Sequence, residues 1–217
     1  RVMALANGWV IACPKDCAGD SDALGDCTLY IEYFKRIKDV PGKKDNTPGR
    51  PNNGEVRDTL ASGWFDDAGQ VDEFGKQPWY PYRNRIREVV VLDTWTPESG
   101  RYLFDGLTQC KSFDLLKLDT SDCTTLEGMF RGCSSVTELF DLDRLDTSNV
   151  ENTSYMFLNC LALKAVSISG WETSKISDVN QMLSGCSTYI LATEGQREFL
   201  NKITGSTQHG IWTRNLS

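Results

Sequence analysis

Three stretches of this chain are spaced copies of one another, and a chain that repeats itself every 26–27 residues is restricted to architectures in which equivalent units stack. Leu118-Asp119-Thr120-Ser121, Leu145-Asp146-Thr147-Ser148 and Trp171-Glu172-Thr173-Ser174 align without gaps. Eight residues beyond each serine comes an apolar pair: Met129-Phe130, Met156-Phe157 and Met182-Leu183. Four residues beyond each methionine stands a cysteine, at Cys133, Cys160 and Cys186. Leu103-Phe104 lies 26 residues before Met129-Phe130 and marks a degenerate earlier copy.

After the cysteines the apolar positions follow L-x-x-L-x-L, clearest in Leu163, Val166 and Ile168 and matched by Cys110, Phe113 and Leu115. The middle copy keeps Val136 and Leu139 but carries one extra residue, which moves its third apolar position to Leu142. This pattern predicts an α/β solenoid, a leucine-rich-repeat-like right-handed coil of about 3.5 repeats. Each L-x-x-L-x-L segment then forms a short parallel strand with alternate side chains turned inward. The residues between them face outward: Lys111, Ser112 and Asp114, then Thr137, Glu138 and Phe140, then Lys164, Ala165 and Ser167. The Asp-Thr-Ser segment reads as a turn whose carboxylate and hydroxyls cap backbone donors, and the Met-Phe segment as a short helical return.

The cysteine column has a packing explanation, because a buried thiol behaves as a small hydrophobe and equivalent positions would stack inside the coil. Cys13, Cys17 and Cys27 are different. They crowd the first segment, where an oxidising compartment favours pairing, with Cys13–Cys27 the more relaxed closure. Their Cys-x3-Cys-x9-Cys spacing lacks the second Cys pair of a zinc site, and the one histidine, His209, is remote in sequence.

Residues 145–160, LDTSNVENTSYMFLNC, resemble the BspA-like bacterial surface repeats of leucine-rich type almost letter for letter, and the similarity extends over roughly 100–190. The third copy departs with Leu183 in place of Phe and Ile176-Ser177-Asp178 in place of Val-Thr-Asp. The resemblance implies a bacterial, Mycoplasma-type surface protein that adheres to host proteins, matrix or other microbes. It also implies an N-terminal sheet preceding the repeats, matched here by Cys27-Thr28-Leu29 and by Pro78-Trp79-Tyr80-Pro81-Tyr82.

Residues 1–100 carry no repeat and read as a β-rich N-terminal cap, with strand formers at Gly8–Ala12, Thr28–Phe34 and Arg87–Asp93 and a long polar loop from Pro41 to Gly54. The repeats occupy 101–187. A C-terminal cap spans 188–217, in which the apolar periodicity of Glu194 to Ile203 predicts a short capping helix. Trp79, Tyr80 and Tyr82, with Trp64 and Phe65, are candidates for a carbohydrate or peptide platform; the alternative is packing at the cap junction. Asp20, Asp22 and Asp26 faintly resemble a calcium loop but lack an acid in the twelfth position.

A formal net charge of -7 argues against nucleic acid and anionic membranes as partners. The most apolar run, Val89–Leu92, is too short to span a bilayer, and any export signal or anchor is expected outside these 217 residues. No phosphate loop, dinucleotide fingerprint or nucleophile elbow occurs, and a single histidine leaves little material for a catalytic relay. The sequence therefore predicts a non-enzymatic module, secreted or at the cell surface, without cofactor or metal. It would bind an extracellular protein or glycan through Lys111, Asp114, Glu138, Phe140 and Lys164 on the open face, or through Trp79 and Tyr82 in the cap. The alternatives are a stalk or spacer, and a glycoside hydrolase using two of Asp66, Asp67, Asp72 and Glu73.

Overall fold

The computed structural model of the protein describes residues 3–13, 27–37, 58–64, 77–206 and 212–215. The strands of the described residues form two sheets. The first has the order β3-β1-β2-β4-β5, formed by β1 (Met3–Cys13), β2 (Cys27–Ile37), β3 (Asp58–Trp64), β4 (Ile86–Val91) and β5 (Ser112–Asp114). The second has the order β6-β7-β8-β9, formed by β6 (Glu138–Leu139), β7 (Ala165–Ser167), β8 (Tyr189–Ala192) and β9 (Trp212–Asn215). One helix, α1 (Arg197–Ser206), follows a 3-10 turn at Glu194–Gln196.

Pairing changes character along the first sheet. β1 lies antiparallel between β3 and β2, whereas β2–β4 and β4–β5 are parallel. The second sheet is parallel throughout. β1, β2 and β4 contain the strand formers picked out above, and β2 joins the N-terminal strands directly to those of the repeat. Cys27 is buried and disulfide-bonded. The side chains of Cys13 and Cys17, like the Pro41–Gly54 loop and His209, lie outside the described residues.

Alternation within the strands fixes which side chains enter the core. Val89, Leu139, Val166 and Ile190 are buried, and Phe113, half-buried, packs against them. Opposite the strands run further columns. Phe104, Phe130 and Phe157 are fully buried with successive ring centroids 5.7 Å apart, the second pair stacked at an interplanar angle of 3°. Ring contacts of this kind add about 0.5–1.5 kcal/mol each beyond their burial. Met129, Met156 and Met182 form a thioether column in the same core.

The expected helical return after each Asp-Thr-Ser turn is replaced by tight turns. Paired residues four apart take left-handed backbone: Tyr102 and Gly106, Gly128 and Gly132, Tyr155 and Asn159, Gln181 and Gly185. These conformations break the helical run, so the amides bond across copies instead of along one. Phe104 N–H donates to the Met129 carbonyl at 2.8 Å, Phe130 to Met156 at 2.9 Å and Phe157 to Met182 at 2.8 Å. The arrangement satisfies backbone groups that burial would otherwise leave costly.

The turns themselves combine two contacts. Asp119 and Asp146 accept from the amides of Ser121 and Ser148 at 3.0 and 2.9 Å, and Glu172 accepts from Ser174 at 3.0 Å. The intervening threonines do not cap their own turn. Thr120 and Thr147 are buried and donate their hydroxyls to the carbonyls of Asp146 and Glu172 in the following copy, at 2.8 and 3.0 Å. Arg101–Glu127 and Arg131–Asp105 ion pairs add staples between residues 26 apart.

The strand ribbon also continues past residue 187. β8 and β9 extend it through the segment expected to be cap alone, and α1 buries Phe199, Leu200 and Ile203 in the same core, with Phe199 against Trp171. Gln196 Nε2 donates to the carbonyls of Ile168 and Trp171 at 2.7 and 2.9 Å, tying the start of α1 to the repeat.

Candidate functional site

The parallel ribbon parts at one point. β5 is the last strand of the first sheet and β6 the first of the second, and no strand pairing joins them among the described residues. The extra residue of the middle copy lies just beyond β6. After Leu139 the chain leaves the strand at Phe140 and makes a 3-10 turn, Asp141–Arg144, which delivers Leu142 to the core. That turn is held from behind. Trp171 Nε1 donates to the Leu142 carbonyl at 2.6 Å, and Gly170 sits directly against the carbonyl of Asp143.

A groove of about 280 Å³ fills the parting. Lys111, Ser112, Phe113 and Leu115 line one side, and the stretch from Thr137 to Leu142 lines the other. Its volume is at the lower end of ligand pockets, about 300–1,000 Å³, which suits a side chain or a short piece of backbone better than a bulky small molecule. Phe140 keeps 46% of its surface exposed at the lip. An aromatic ring left this open beside a concavity is the type of residue that anchors protein interfaces.

Three of the residues singled out from the sequence, Lys111, Glu138 and Phe140, therefore meet at one groove. Asp114 is exposed at the end of β5, next to that lining. Lys164 is exposed but belongs to the next copy, where its amide donates to the Thr137 carbonyl at 2.7 Å. Ser167, expected on the open face, is buried, with its hydroxyl 3.2 Å from that of Ser169. Asp141 and Thr137 complete the lining; Asp141 was not singled out because the 3-10 turn carries no periodic signal.

Trp79 does not contribute to a surface platform. It is 1% exposed and packs edge-on against Trp95 at 6.5 Å and stacked against Phe104 at 6.4 Å, so it extends the aromatic column toward the N-terminal sheet. The turn geometry of Pro78–Tyr82 points its largest ring inward, which sequence proximity to prolines does not reveal. Tyr82 is half-buried against the same core, and Tyr80 lies under the Arg83 guanidinium, 4.2 Å from its ring centre. The side chains of Trp64 and Phe65, the acids Asp20, Asp22 and Asp26, and the carboxylates Asp66, Asp67, Asp72 and Glu73 lie outside the described residues.

The outward face also holds residues missed from sequence. Tyr189 is 54% exposed and stands in register with Ala165, which in turn pairs with Glu138. It escaped notice because Ile190 follows Cys186 by four residues, whereas Leu139 and Val166 follow their cysteines by six. With two residues gone the apolar pattern loses its phase, although the strand survives.

The thiols are built into the interior. Cys133, Cys160 and Cys186 donate to the carbonyls of Phe104, Phe130 and Phe157 at 3.2, 3.1 and 2.9 Å. Burial pushes Cys110 up to about 12 and Cys123 up to about 11. Cys133 is raised by burial too, and Cys160 by the neighbouring Cys186 thiol together with burial. A thiol held protonated is neither a nucleophile nor a metal ligand. Among the described residues no group of three or more His, Cys, Asp or Glu side chains is placed to hold a metal ion, and no helix is long and apolar enough to cross a membrane.

Residues 90–194 match the family model described as Mycoplasma protein of unknown function, DUF285. No curated protein and no solved structure matches the chain. The match runs from the last two residues of β4 to the start of the C-terminal 3-10 turn, and so contains both walls of the groove.

Proposed function

We propose that the protein is a binding module of the cell surface or extracellular space, built as a short leucine-rich-type solenoid of the BspA-like kind, that recognises a protein or glycan at the groove between β5 and β6. The carrying observation is the parting itself: Lys111 converges with Glu138 and Phe140, which follow it by 27 and 29 residues, on one concavity with a half-exposed aromatic ring at its lip. Cross-copy hydrogen bonds at intervals near the repeat length, and columns of Phe, Met and Cys, support the solenoid reading. The near letter-for-letter resemblance of residues 145–160 to BspA-like repeats supports the surface assignment, and a match to a Mycoplasma family agrees with it.

The reading is of a binder and not a catalyst. Buried, protonated thiols withhold the most nucleophilic side chains described, and the groove combines one lysine with two carboxylates but no relay partner.

The test is an array pull-down against matrix proteins, mucins and glycans. A saturable signal that disappears with Phe140→Ala and with Glu138→Lys, both at exposed positions, is the expected result. A signal insensitive to both changes would move the site elsewhere. Absence of any saturable partner would favour the spacer role.

A further inference from the structure

We propose that the occupant of the groove is an extended peptide segment carrying a basic side chain, which enters as an added strand between β5 and β6. This rests on the reading of the groove as the binding site and names the chemistry of its partner.

The backbone supplies the first argument. Amide and carbonyl groups alternate in direction along a strand, so each residue offers its hydrogen bonds to one side. Leu92 N–H donates to the Ile31 carbonyl at 2.8 Å, toward β2, so Val89 turns its main-chain groups toward β5. With Glu88, Val89 and Val90 in register with Ser112, Phe113 and Asp114, the groups of Ser112 and Asp114 face β4 and those of Phe113 face away from it. On the other wall the Thr137 carbonyl accepts from Lys164 at 2.7 Å, toward β7, so the main-chain groups of Glu138 face away from β7. Two strand edges thus look at the same groove, each parallel in sense to its own sheet. An unpaired edge is a template for another extended chain, and strand addition is a recurrent mode of peptide capture. Among the described residues the outer edges of the two sheets, β3 and β9, each offer one such surface, whereas here two lie side by side.

Charge supplies the second argument. Glu138 and Asp141 line the groove and Asp114 is exposed beside it, against the single Lys111. Three carboxylates to one ammonium, on a chain of net charge -7, select a cationic side chain from a passing segment. Phe140, half-exposed between Leu139 and Asp141, gives such a side chain an aromatic face for its aliphatic stem.

Rigidity supplies the third. The 3-10 turn behind the groove is pinned by the Trp171–Leu142 hydrogen bond and by the contact of Gly170 with Asp143, so the edges are held apart before anything binds. A preformed gap spares a ligand the cost of opening it.

The experiment pans a displayed library of random nine-residue peptides against the full chain, then measures the enriched peptides by fluorescence anisotropy. Enrichment of Lys or Arg within sequences of β-forming residues is expected. Methylating alternate peptide amides should weaken binding by about tenfold or more, the loss expected for one or two main-chain hydrogen bonds. Glu138→Lys in the protein should reverse the preference toward acidic peptides. Enrichment without a charge bias, binding indifferent to amide methylation, or no enriched peptide at all would each overturn the proposal. If peptides fail while the pull-down signal still depends on Phe140, the groove remains the binding site and only the peptide assignment falls. If that signal is also indifferent to Phe140 and Glu138, the wider reading falls with it.

Discussion

Cys160 Sγ donates to the carbonyl oxygen of Phe130, 3.1 Å away and 30 residues earlier in the chain. The same bond recurs one copy before and one copy after, from Cys133 to Phe104 and from Cys186 to Phe157. A cysteine in this column is therefore more than a small apolar filler: it fastens its own copy to the aromatic column of the preceding one.

Cys160→Ala is expected to lower stability by about 1–2 kcal/mol, from the lost sulfur packing and the lost hydrogen bond together. The Phe130 carbonyl retains the amide of Cys133 at 3.0 Å, which keeps the cost from rising further. Urea unfolding monitored by circular dichroism measures it, and an unchanged midpoint would reduce the column to inert packing.

Thiol reactivity provides a second check. At about pH 8 the native protein should resist a maleimide at Cys110, Cys123, Cys133 and Cys160, because both access and ionisation are withheld, and should react at all of them once unfolded. Cys186 should label first, since the neighbouring Cys160 thiol draws its pKa down while burial opposes it. For Cys110, raised from 9.0 to about 12, the folded state keeps a proton that the unfolded state releases. Its contribution to stability is whole below pH 9 and declines as pH rises from there toward 12. Mass-spectrometric mapping of labelled sites and alkaline unfolding curves test both statements.

The turn carboxylates carry the opposite sign. Asp119 is held below its ordinary value chiefly by the backbone hydrogen bond from Ser121, and Asp146 by hydrogen bonds from the Ser148 side chain and backbone. Their contribution is present above the unfolded-state value of 3.8 and disappears as pH falls through the lower folded-state values. Asp146→Asn keeps an oxygen that accepts the Ser148 amide and should flatten this acid limb, while Asp146→Ala removes the acceptor and should cost about 1 kcal/mol at neutral pH. Identical acid profiles for wild type and Asp146→Asn would contradict the assignment.

Gly170→Ala tests the support behind the groove. A Cβ there would collide with the carbonyl of Asp143, and backbone cannot swing aside as a side-chain tip can. A loss of about 1–3 kcal/mol is expected, as for other overpacked sites. Trp171→Phe, which removes the donor to Leu142, should loosen the same turn at a cost of about 1 kcal/mol. Thermal melting of the two variants measures these effects.

What could be read from the sequence was what repeats. Periodic landmarks gave the columns, the inward positions of the middle strands, and the outward places of Lys111, Glu138 and Phe140, because burial at a fixed interval leaves a compositional trace. The left-handed residues were legible only where glycine marked them. Tyr102, Tyr155 and Gln181 adopt the same backbone without a signature, and a helical return was expected in their place. The inserted residue at the middle copy was visible as a change of spacing, but the turn that takes it up is held by Trp171 reaching Leu142 across 29 residues. No local pattern encodes a contact of that range. Trp79 shows the same limit in reverse, since its turn-rich neighbourhood reads as exposed while its ring completes the core.

A ladder interrupted in the middle has inner ends as well as outer ones. The amide hydrogens of Phe113 and Glu138 should therefore trade with solvent deuterium quickly, while those of Phe104, Phe130 and Phe157, bonded across copies on the far wall, stay protected. A band of fast exchange crossing an otherwise slow interior would mark the seam at which, among the described residues, the two halves of the ribbon meet without strand pairing.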